Sequence, residues 1–324
     1  MKIRANLRMA NADKESTGTS MSNRELIGFN KQIATVIIEH KRLLSRFIKT
    51  NFQVTYSEFT VLFALLDAAA PMRLSYLCGY LILSRKTILT IASQLEDKCL
   101  VAKTSLPEDK RVVLVSLTGE GKRQTRQIFE RLADVMGGQI HKSLPEQDFH
   151  QYMMPSIGDG VKALGSVSTV SETPKTAHTG LFTLEHFIYW RAISEKWSAI
   201  VREEGRLTFH EFGLLALLNE SGDMNCLDIA DTLLIPASSV SLCKRHLLEL
   251  SLVEERRNCA DARKVLLRIT AKGQRLTHRL KEKLNAFTQQ AHGGIEGETA
   301  TIINAWYFRM YSNIKANWRT LLDN

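Results

Sequence analysis

Apolar residues recur at three- and four-residue spacing along most of the chain, which predicts a mainly α-helical protein. Two long stretches each open with a one-sided helix whose apolar residues are Ile33, Val36, Ile37, Leu44 and Phe47 in the first and Phe187, Trp190, Ile193, Trp197 and Val201 in the second. Shorter helices are predicted over residues 57–67, 74–80 and 84–98, with Ser57 and Ser84 as caps of the first and third. The strand-like segments of each stretch follow these helices.

The period then changes from helical to strand-like. Residues 100–105 and 111–117 form two strand-like runs, and the segment between them, Leu106-Pro107-Glu108-Asp109-Lys110, is rich in turn formers. Long helices are predicted over residues 120–140 and 145–164. Three short helices followed by a two-stranded hairpin is the order of a winged helix-turn-helix unit.

The chain contains an internal repeat. Residues 73–121 align without a gap to residues 225–273, at a constant offset of 152, and ten of the 49 positions are identical. The identities include the pairs Asp109/Asp261, Arg111/Arg263 and Gly121/Gly273. We therefore predict a tail over residues 1–22, a first unit over 23–165, a Ser/Thr-rich linker over 166–180 and a second unit over 181–324. The predicted fold is mainly α with small β-hairpin wings, its two winged units joined by long helices as an intramolecular pseudo-dimer.

Composition narrows the functional classes. The 324 residues carry a net charge of +9, which is compatible with a polyanionic partner. Five cysteines, an odd number, argue against a disulfide framework, and no apolar run reaches the length of a membrane helix. We expect a cytoplasmic protein with no membrane contact. No motif of a nucleophile with its base, a phosphate-binding glycine loop or metal ligands occurs, so neither an enzyme, a metal nor a cofactor is predicted.

Several short segments resemble the MarR family of bacterial transcriptional regulators. They are Leu83-Ser84-Arg85-Lys86-Thr87-Ile88 at the start of a helix, Leu95-Glu96-Asp97-Lys98-Cys99-Leu100-Val101, and the wing from Asp109 and Arg111 to Thr118 and Gly121. The resemblance covers both units, roughly 280 residues. The chain departs from the family in carrying two units in tandem, and the second unit has Pro236 and Ala262 where a capping Ser and a basic wing residue are expected.

The resemblance implies a DNA-binding regulator, a repressor released by a small effector, with double-stranded DNA as its partner. It places the DNA contacts on the groove helices and wings, at Ser84, Arg85, Lys86, Thr87, Thr90, Asp109, Lys110, Arg111, Ser238, Ser239, Ser241, Lys244, Arg245, Asp261 and Arg263. An exposed Asp–Arg ion pair and ordinary solvated charges are the alternative interpretations of these residues. The alternative function is a tandem protein-interaction module whose second unit no longer reads DNA.

Aromatic residues concentrate in the second unit. Because effectors of the family, such as aromatic acids, often bind where the terminal helices meet the winged part, the resemblance makes four residues candidates for an effector pocket: Trp190, Trp197, Phe209 and Phe212. Plain core packing is the alternative interpretation of such aromatic stripes. We expect one chain to pair with itself as a monomeric pseudo-dimer, and higher oligomers are compatible with this prediction.

Overall fold

The computed structural model describes residues 26–105, 108–109, 111–142, 144, 149–166, 183–257 and 265–323. The predicted tail over residues 1–22 and nearly all of the predicted linker over 166–180 lie outside this range, as do the tip residues of the second wing. At the start of the linker, Ser166 is buried, and its hydroxyl donates a hydrogen bond to the carbonyl of Tyr80 at 2.7 Å.

The first half of the described chain contains helices and a three-stranded antiparallel sheet. Its elements are α1 (Lys31–Phe52), α2 (Tyr56–Ala68), β1 (Met72–Arg73), α3 (Leu74–Tyr80), α4 (Arg85–Asp97), β2 (Val101–Ser105), β3 (Val113–Leu117), α5 (Gly119–Gln139) and α6 (Met154–Ala163). The predicted short helices and hairpin are confirmed to within a few residues. The predicted helix over 145–164 is not continuous, because a π-helical turn over Phe149–Met153 precedes α6. Pro155 in the first turn of α6 has no N–H to donate, so the hydrogen-bond pattern changes there.

The second half repeats this order. Its elements are α7 (Leu184–Gly205), α8 (Phe209–Ser221), α9 (Cys226–Leu233), α10 (Ala237–Glu249), β4 (Val253–Arg257), β5 (Val265–Ile269), α11 (Ala271–Ala291) and α12 (Glu298–Asp323). Met72 pairs with Val115 in the first half, and a bridge between Met224 and Leu267 occupies the corresponding place in the second. These four residues are related by the same offset of 152 that the sequence repeat shows.

Local signals explain where α2 begins. Thr55, and not the predicted Ser57, is its cap: the Thr55 hydroxyl accepts from the backbone N–H of Glu58, whose carboxylate accepts from the N–H of Thr55 at 2.6 Å. This reciprocal capping box satisfies two N–H groups at once, which a serine inside the first turn cannot do. Thr208 and Glu211 form the same arrangement at the start of α8.

Glycine is required where each long helix leaves its hairpin. A Cβ atom on Gly121 would lie 1.9 Å from the carbonyl oxygen of Leu100, and one on Gly273 would lie 2.3 Å from that of Leu252. Both obstacles are backbone atoms of the neighbouring segment, so they cannot turn aside as a side chain could. This close approach is the physical reason for one of the ten identities in the repeat.

The two halves exchange their terminal helices. Helix α6 packs against α7 and α11, while α12 packs against α1, and α1 and α7 also contact each other. Hydrogen bonds cross between the halves: the Tyr56 hydroxyl donates to the carbonyl of Phe187 at 2.9 Å, and the Asn313 amide donates to the carbonyl of Ile140 at 2.8 Å. Buried residues of both halves belong to one continuous hydrophobic core.

Imidazole rings are buried where the halves meet. The ring of His40 on α1 stacks on that of His141 with centroids 5.7 Å apart, and the Trp190 ring lies between His40 and His186, at 3.5 and 5.3 Å. Burial lowers the pKa of His141 and of His186 to about 3, and that of His40 well below its usual range. A fourth buried ring, His292, has its pKa lowered to about 4. These rings stay neutral in the folded chain.

We expect the free energy of unfolding to fall as the pH drops from about 6.5 towards 4. The unfolded histidines take up protons near pH 6.5 and the four buried ones do not, and each such proton costs about 1.4 kcal/mol of stability per pH unit. Burial raises the pKa of Glu39 to about 7 and of Asp67 to about 6, so these two carboxyls offset part of the loss down to about pH 4.5. Urea unfolding at pH 7.5, 6, 5 and 4.5 measures the net slope.

The substitution His186→Gln should flatten this pH dependence by about one proton. His278→Gln is the matched control, since it removes an exposed histidine of α11. A stability that stays constant or rises between pH 6.5 and 4.5 would contradict the burial of neutral imidazoles.

Candidate nucleic-acid interface

Helices α3 and α4 form a helix-turn-helix whose second helix faces outward on one side. Helix α4 begins at Arg85 because the hydroxyl of Ser84 accepts a hydrogen bond from the N–H of Thr87 at 3.1 Å, as the sequence predicted. Its inner side, Ile88, Ile91 and Leu95, is buried in the core. The outer side is exposed, and its N-terminal part carries Arg85, Lys86, Leu89 and Thr90.

The charges of α4 run against its helix dipole. Arg85 and Lys86 are exposed in the first turn, which holds no acidic residue, and Glu96 and Asp97 lie in the last turn. Cations at an N-terminus are disfavoured by the partial positive charge of the free N–H groups, and an anion that binds there relieves the repulsion. The outer face of α4 is therefore suited to a phosphate-bearing partner more than to solvent alone.

The hydroxyl groups of α4 are partly engaged within the helix. The Thr90 hydroxyl donates to the carbonyl of Lys86 at 3.0 Å, and the hydroxyls of Ser84 and Thr87 lie 2.7 Å apart. Thr90 is exposed and Thr87 is half-buried. These bonds fix the rotamers of the side chains, so that any base contact they make starts from a defined position.

The first wing brings Asp109 and Arg111 together through the backbone. The carboxylate of Asp109 accepts a hydrogen bond from the backbone N–H of Arg111 at 2.9 Å, and both residues are exposed. This bond shapes the turn of the wing. Lys110, and in the second wing Asp261 and Arg263, lie outside the described residues.

The outer face of α10 in the second half differs from that of α4. Pro236 precedes the helix and provides no side-chain cap, Ser238 and Arg245 are exposed, and Ser239 is half-buried. Ser241 is also exposed, but its hydroxyl donates to the carbonyl of Ala237 at 3.0 Å. None of the described side chains in the first turn of α10 is charged.

Lys244, one of the predicted DNA contacts, is paired with a carboxylate of the same half. Its ammonium is half-buried and lies 2.6 Å from the carboxylate of Glu255 on β4, which raises the lysine pKa. The sequence could not show this pair, because it depends on how the hairpin folds back over the helix. On β4 itself, Arg256 is paired with Glu254 at 2.9 Å. Carboxylates therefore neutralise part of the basic charge on α10 and β4.

Helix α9 adds acidic and apolar groups to the same helix pair. Asp228 and Asp231 are exposed at the positions that Tyr76 and Gly79 occupy in α3. Leu227 is 69% exposed and Leu242 on α10 is 59% exposed. Carboxylates repel phosphates and exposed leucines give no polar contact to a groove, so the two helix pairs offer different surfaces.

A cavity of about 310 Å³ lies between α1 of the first half and α8 and α9 of the second. Its apolar wall includes Phe29, Phe209 and Phe212, and its polar lining includes Glu39, Lys31, Lys281, Glu220 and His210. Lys281 is paired with Glu220, and burial lowers the pKa of Lys31, with Lys315 adding to the effect. Of the four predicted pocket residues, Phe209 and Phe212 line this space, whereas Trp190 and Trp197 are buried in the core and do not.

Two arginines escaped the sequence analysis. Arg73 is exposed at the start of α3, where the second half has Asn225, and a comparison of the two copies could have found it. Arg191 on α7 is 1% exposed, although arginine is rarely buried, and only its position on the apolar side of the helix hinted at this. In the described part of the chain, no three His, Cys, Asp or Glu side chains converge to hold a metal ion.

No protein-family model matches the chain, and no curated protein matches it. Among solved structures, it is similar to the transcriptional regulator BldR from Sulfolobus solfataricus, with 18% identity and a TM-score of 0.34 over 47% of this chain and 93% of that one. It is also similar to BpsR from Bordetella bronchiseptica, whose DNA binding is regulated by 6-hydroxynicotinic acid, with 23% identity and a TM-score of 0.32 over 38% and 94%. A third similar structure is a cysteine-to-serine mutant of MarR from E. coli in complex with operator DNA, with 26% identity and a TM-score of 0.30 over 33% and 75%.

The length and hydropathy of the helices decide whether one of them could cross a membrane. Within the described ranges, no single helix has the length and apolar content needed to cross a membrane. Helices α9 and α10 meet these criteria only as a joined pair, and they are bent by 114° relative to each other.

Proposed function

We propose that the chain is a sequence-specific DNA-binding transcriptional regulator whose first helix-turn-helix reads the DNA. The observation that carries this proposal is the exposed pair of cations, Arg85 and Lys86, in the first turn of an outward-facing helix. Arginine and lysine bind guanine edges and phosphates, and the adjacent hydroxyls of Thr87 and Thr90 add hydrogen-bonding groups at a helical spacing that suits a groove. The net charge of +9 favours the same class of partner.

We further propose that the units over residues 23–165 and 181–324 act as a pseudo-dimer within one chain. The exchange of terminal helices supports this, since α6 and α12 each pack against the first helix of the other half. A linker of about 15 residues spans on the order of 20 Å as a random coil. A tether of that length gives an effective concentration in the millimolar range, which favours pairing within the chain over pairing between chains.

The two units contribute unequally in this proposal. Arg85 and Lys86 correspond to Ala237 and Ser238, so the second groove helix has no cation in its first turn. Arg245 remains exposed further along α10. We therefore expect two different half-sites in the DNA, the first restrictive and containing a guanine, the second degenerate.

A second candidate function is favoured by the surface of α9 and α10. There, Leu227 and Leu242 are exposed next to Asp228 and Asp231, and Lys244 is held by Glu255. Such a mixture of apolar and acidic groups is typical of a protein contact more than of a DNA contact. In this alternative the second unit docks a protein while the first unit still binds DNA.

The cavity between α1 and α8 supports release by a small effector, which would make the regulator a repressor. Its aromatic wall offers stacking surface, and the ammonium of Lys31 offers positive charge for a carboxylate. A small aromatic acid combines both features. Because α1 and α8 belong to different halves, a ligand bound between them changes the contact that sets the spacing of the two helix-turn-helix units.

The first test of the proposed function is the substitution Arg85→Ala. We expect it to weaken binding to the selected DNA by about 1–3 kcal/mol and to relax base preference in one half-site, because a bidentate contact to a guanine is lost. Binding-site selection on both proteins, followed by titration at several salt concentrations, measures both effects. Unmodified protein should show a steep salt dependence.

Ser238→Ala is the matched control on the second helix and should cost much less. A palindromic selected motif would show that the two units read DNA alike. A motif unchanged by Arg85→Ala would show that this side chain faces solvent and would remove the basis of the proposal.

If Leu227→Ser and Leu242→Ser leave DNA binding intact yet abolish association with another protein, the second candidate function gains support.

Benzoate serves as the probe for the effector site. We expect it to weaken DNA binding of the unmodified protein, and the substitution Ala216→Phe, which fills the cavity from α8, to reduce the apparent benzoate affinity at least tenfold. DNA binding of this variant without benzoate gives the baseline for its own titration. Fluorescence anisotropy of labelled DNA measures both quantities. A benzoate effect of equal size in the two proteins, or none in either, would place the effector elsewhere or exclude this chemical class.

A further inference from the structure

Arg191 on α7 is a buried arginine that reaches from the second half into the first. Only 1% of its surface is exposed. One guanidinium nitrogen, Nη2, donates a hydrogen bond to the backbone carbonyl of Leu81 and lies 3.5 Å from the carbonyl oxygen of Ile82. The other, Nη1, donates to the carboxylate of Glu195 at 2.9 Å.

The two carbonyls belong to the turn of the helix-turn-helix. Leu81 and Ile82 end α3 and lead to Ser84, where α4 is capped, and Ile82 adopts the left-handed conformation with φ of 52°. Carbonyl groups at the C-terminus of a helix lack helical partners and carry partial negative charge. A guanidinium there satisfies these carbonyls and attracts that end of α3, so it acts as a clamp on the turn.

The clamp is itself held by a small network on α1 and α7. The Glu195 carboxylate lies 3.7 Å from the ammonium of Lys41 on α1, which in turn donates to the hydroxyl of Ser194 at 3.2 Å. Arg191 therefore connects three parts of the molecule: the first helix of each half and the turn before α4. Because the guanidinium bonds both to its own helix and to the turn of the other half, loss of either contact would leave a buried charge short of a partner.

The corresponding turn of the second half has no such clamp among the described residues. The first helices of the two halves, α1 and α7, are 153 residues apart, one more than the offset of the repeat that follows them. At this offset, Arg191 corresponds to Ile38 on α1. Ile38 faces Leu233 and Ile235 of the α9–α10 turn across the cavity described above. One turn is thus held by a guanidinium, and the other borders empty space.

We propose that Arg191 is a positioning residue that fixes the orientation of α4, so that the first helix of the second half controls DNA reading by the first half. This inference rests on the proposed function for its effect on DNA. Its structural part concerns only the α3–α4 turn and can be tested without DNA.

The experiment compares Arg191→Met, Arg191→Lys and Glu195→Gln with the unmodified full chain. Arg202→Met is the matched control, because Arg202 is an exposed arginine on the same helix. Amide hydrogen exchange is followed separately for α3–α4 and for α9–α10. Affinity for the selected DNA and base preference in each half-site are measured in parallel.

For Arg191→Met we expect amides of α3–α4 to exchange at least tenfold faster while those of α9–α10 keep their rates. DNA affinity should fall at least tenfold, with base preference relaxed in the first half-site only. Arg191→Lys retains one charged donor and should give an intermediate result. Glu195→Gln should shift the same α3–α4 amides by a smaller factor, and Arg202→Met should change nothing.

Equal acceleration in both helix pairs, or none in α3–α4, would show that Arg191 serves general stability and would overturn the proposal. Should Arg191→Met fail to fold, Arg191→Lys and Glu195→Gln decide by the same comparison of the two helix pairs. Faster exchange confined to α3–α4 in a chain that binds no DNA would support the clamp and refute the proposed function, so the two failures are distinguishable.

Discussion

The rest of the structure depends on the contact between α1 and α7, the first helices of the two halves. Residues 186–194 of α7 are buried on every side of the helix, as is Trp197, and a helix segment with this distribution is stable only inside a core. Each half lends its last helix to cover the first helix of the other. Separating the halves would expose this apolar surface to water, so the spacing of the two helix-turn-helix units is set by hydrophobic burial and not by the linker.

The two halves have the same order of helices, but they differ in their outer surfaces and in the contact that each helix-turn-helix makes with the first helix of the other half. Where α7 meets the first helix-turn-helix, Arg191 fills the junction and bonds the turn, whereas α1 leaves a cavity beside the second. The same division holds outside: α4 presents unneutralised cations in its first turn, and the basic groups of α10 and β4 are partly paired with Glu254 and Glu255. Under the proposed function, the two similar halves combine one unit that reads DNA with another that receives a different signal.

Short-range signals in the sequence were sufficient to predict most of the helices and the hairpin. The cap at Ser84 and the apolar side of α4 follow from neighbouring residues alone. The cap of α2 was predicted at Ser57 and is at Thr55, although the Thr55–Glu58 spacing of a capping box was present in the sequence. The error arose because Ser57 was assigned as the cap from its residue type alone, without the requirement for a Glu or Gln three residues after the cap.

Contacts between distant segments could not be predicted in this way. The pair of Lys244 with Glu255 requires the register of a hairpin over a helix, and the burial of Trp190 and Trp197 requires the crossing of α1 and α7. Arg191 was missed because burial of an arginine depends on carbonyl groups from a turn over 100 residues away in the chain. Most of the contacts that were not predicted involve the second half, since its sequence departs further from the pattern used to predict site residues.

The measurement that tests the account most directly is the mass of the DNA complex at nanomolar protein, by mass photometry or sedimentation velocity with the selected DNA. If the two halves pair within one chain, the free protein has the mass of a single chain, 36.6 kDa, and one chain binds each DNA duplex. Higher assemblies at high concentration agree with this result. A protein that binds DNA only as two chains, with no single-chain complex at any concentration, would contradict it.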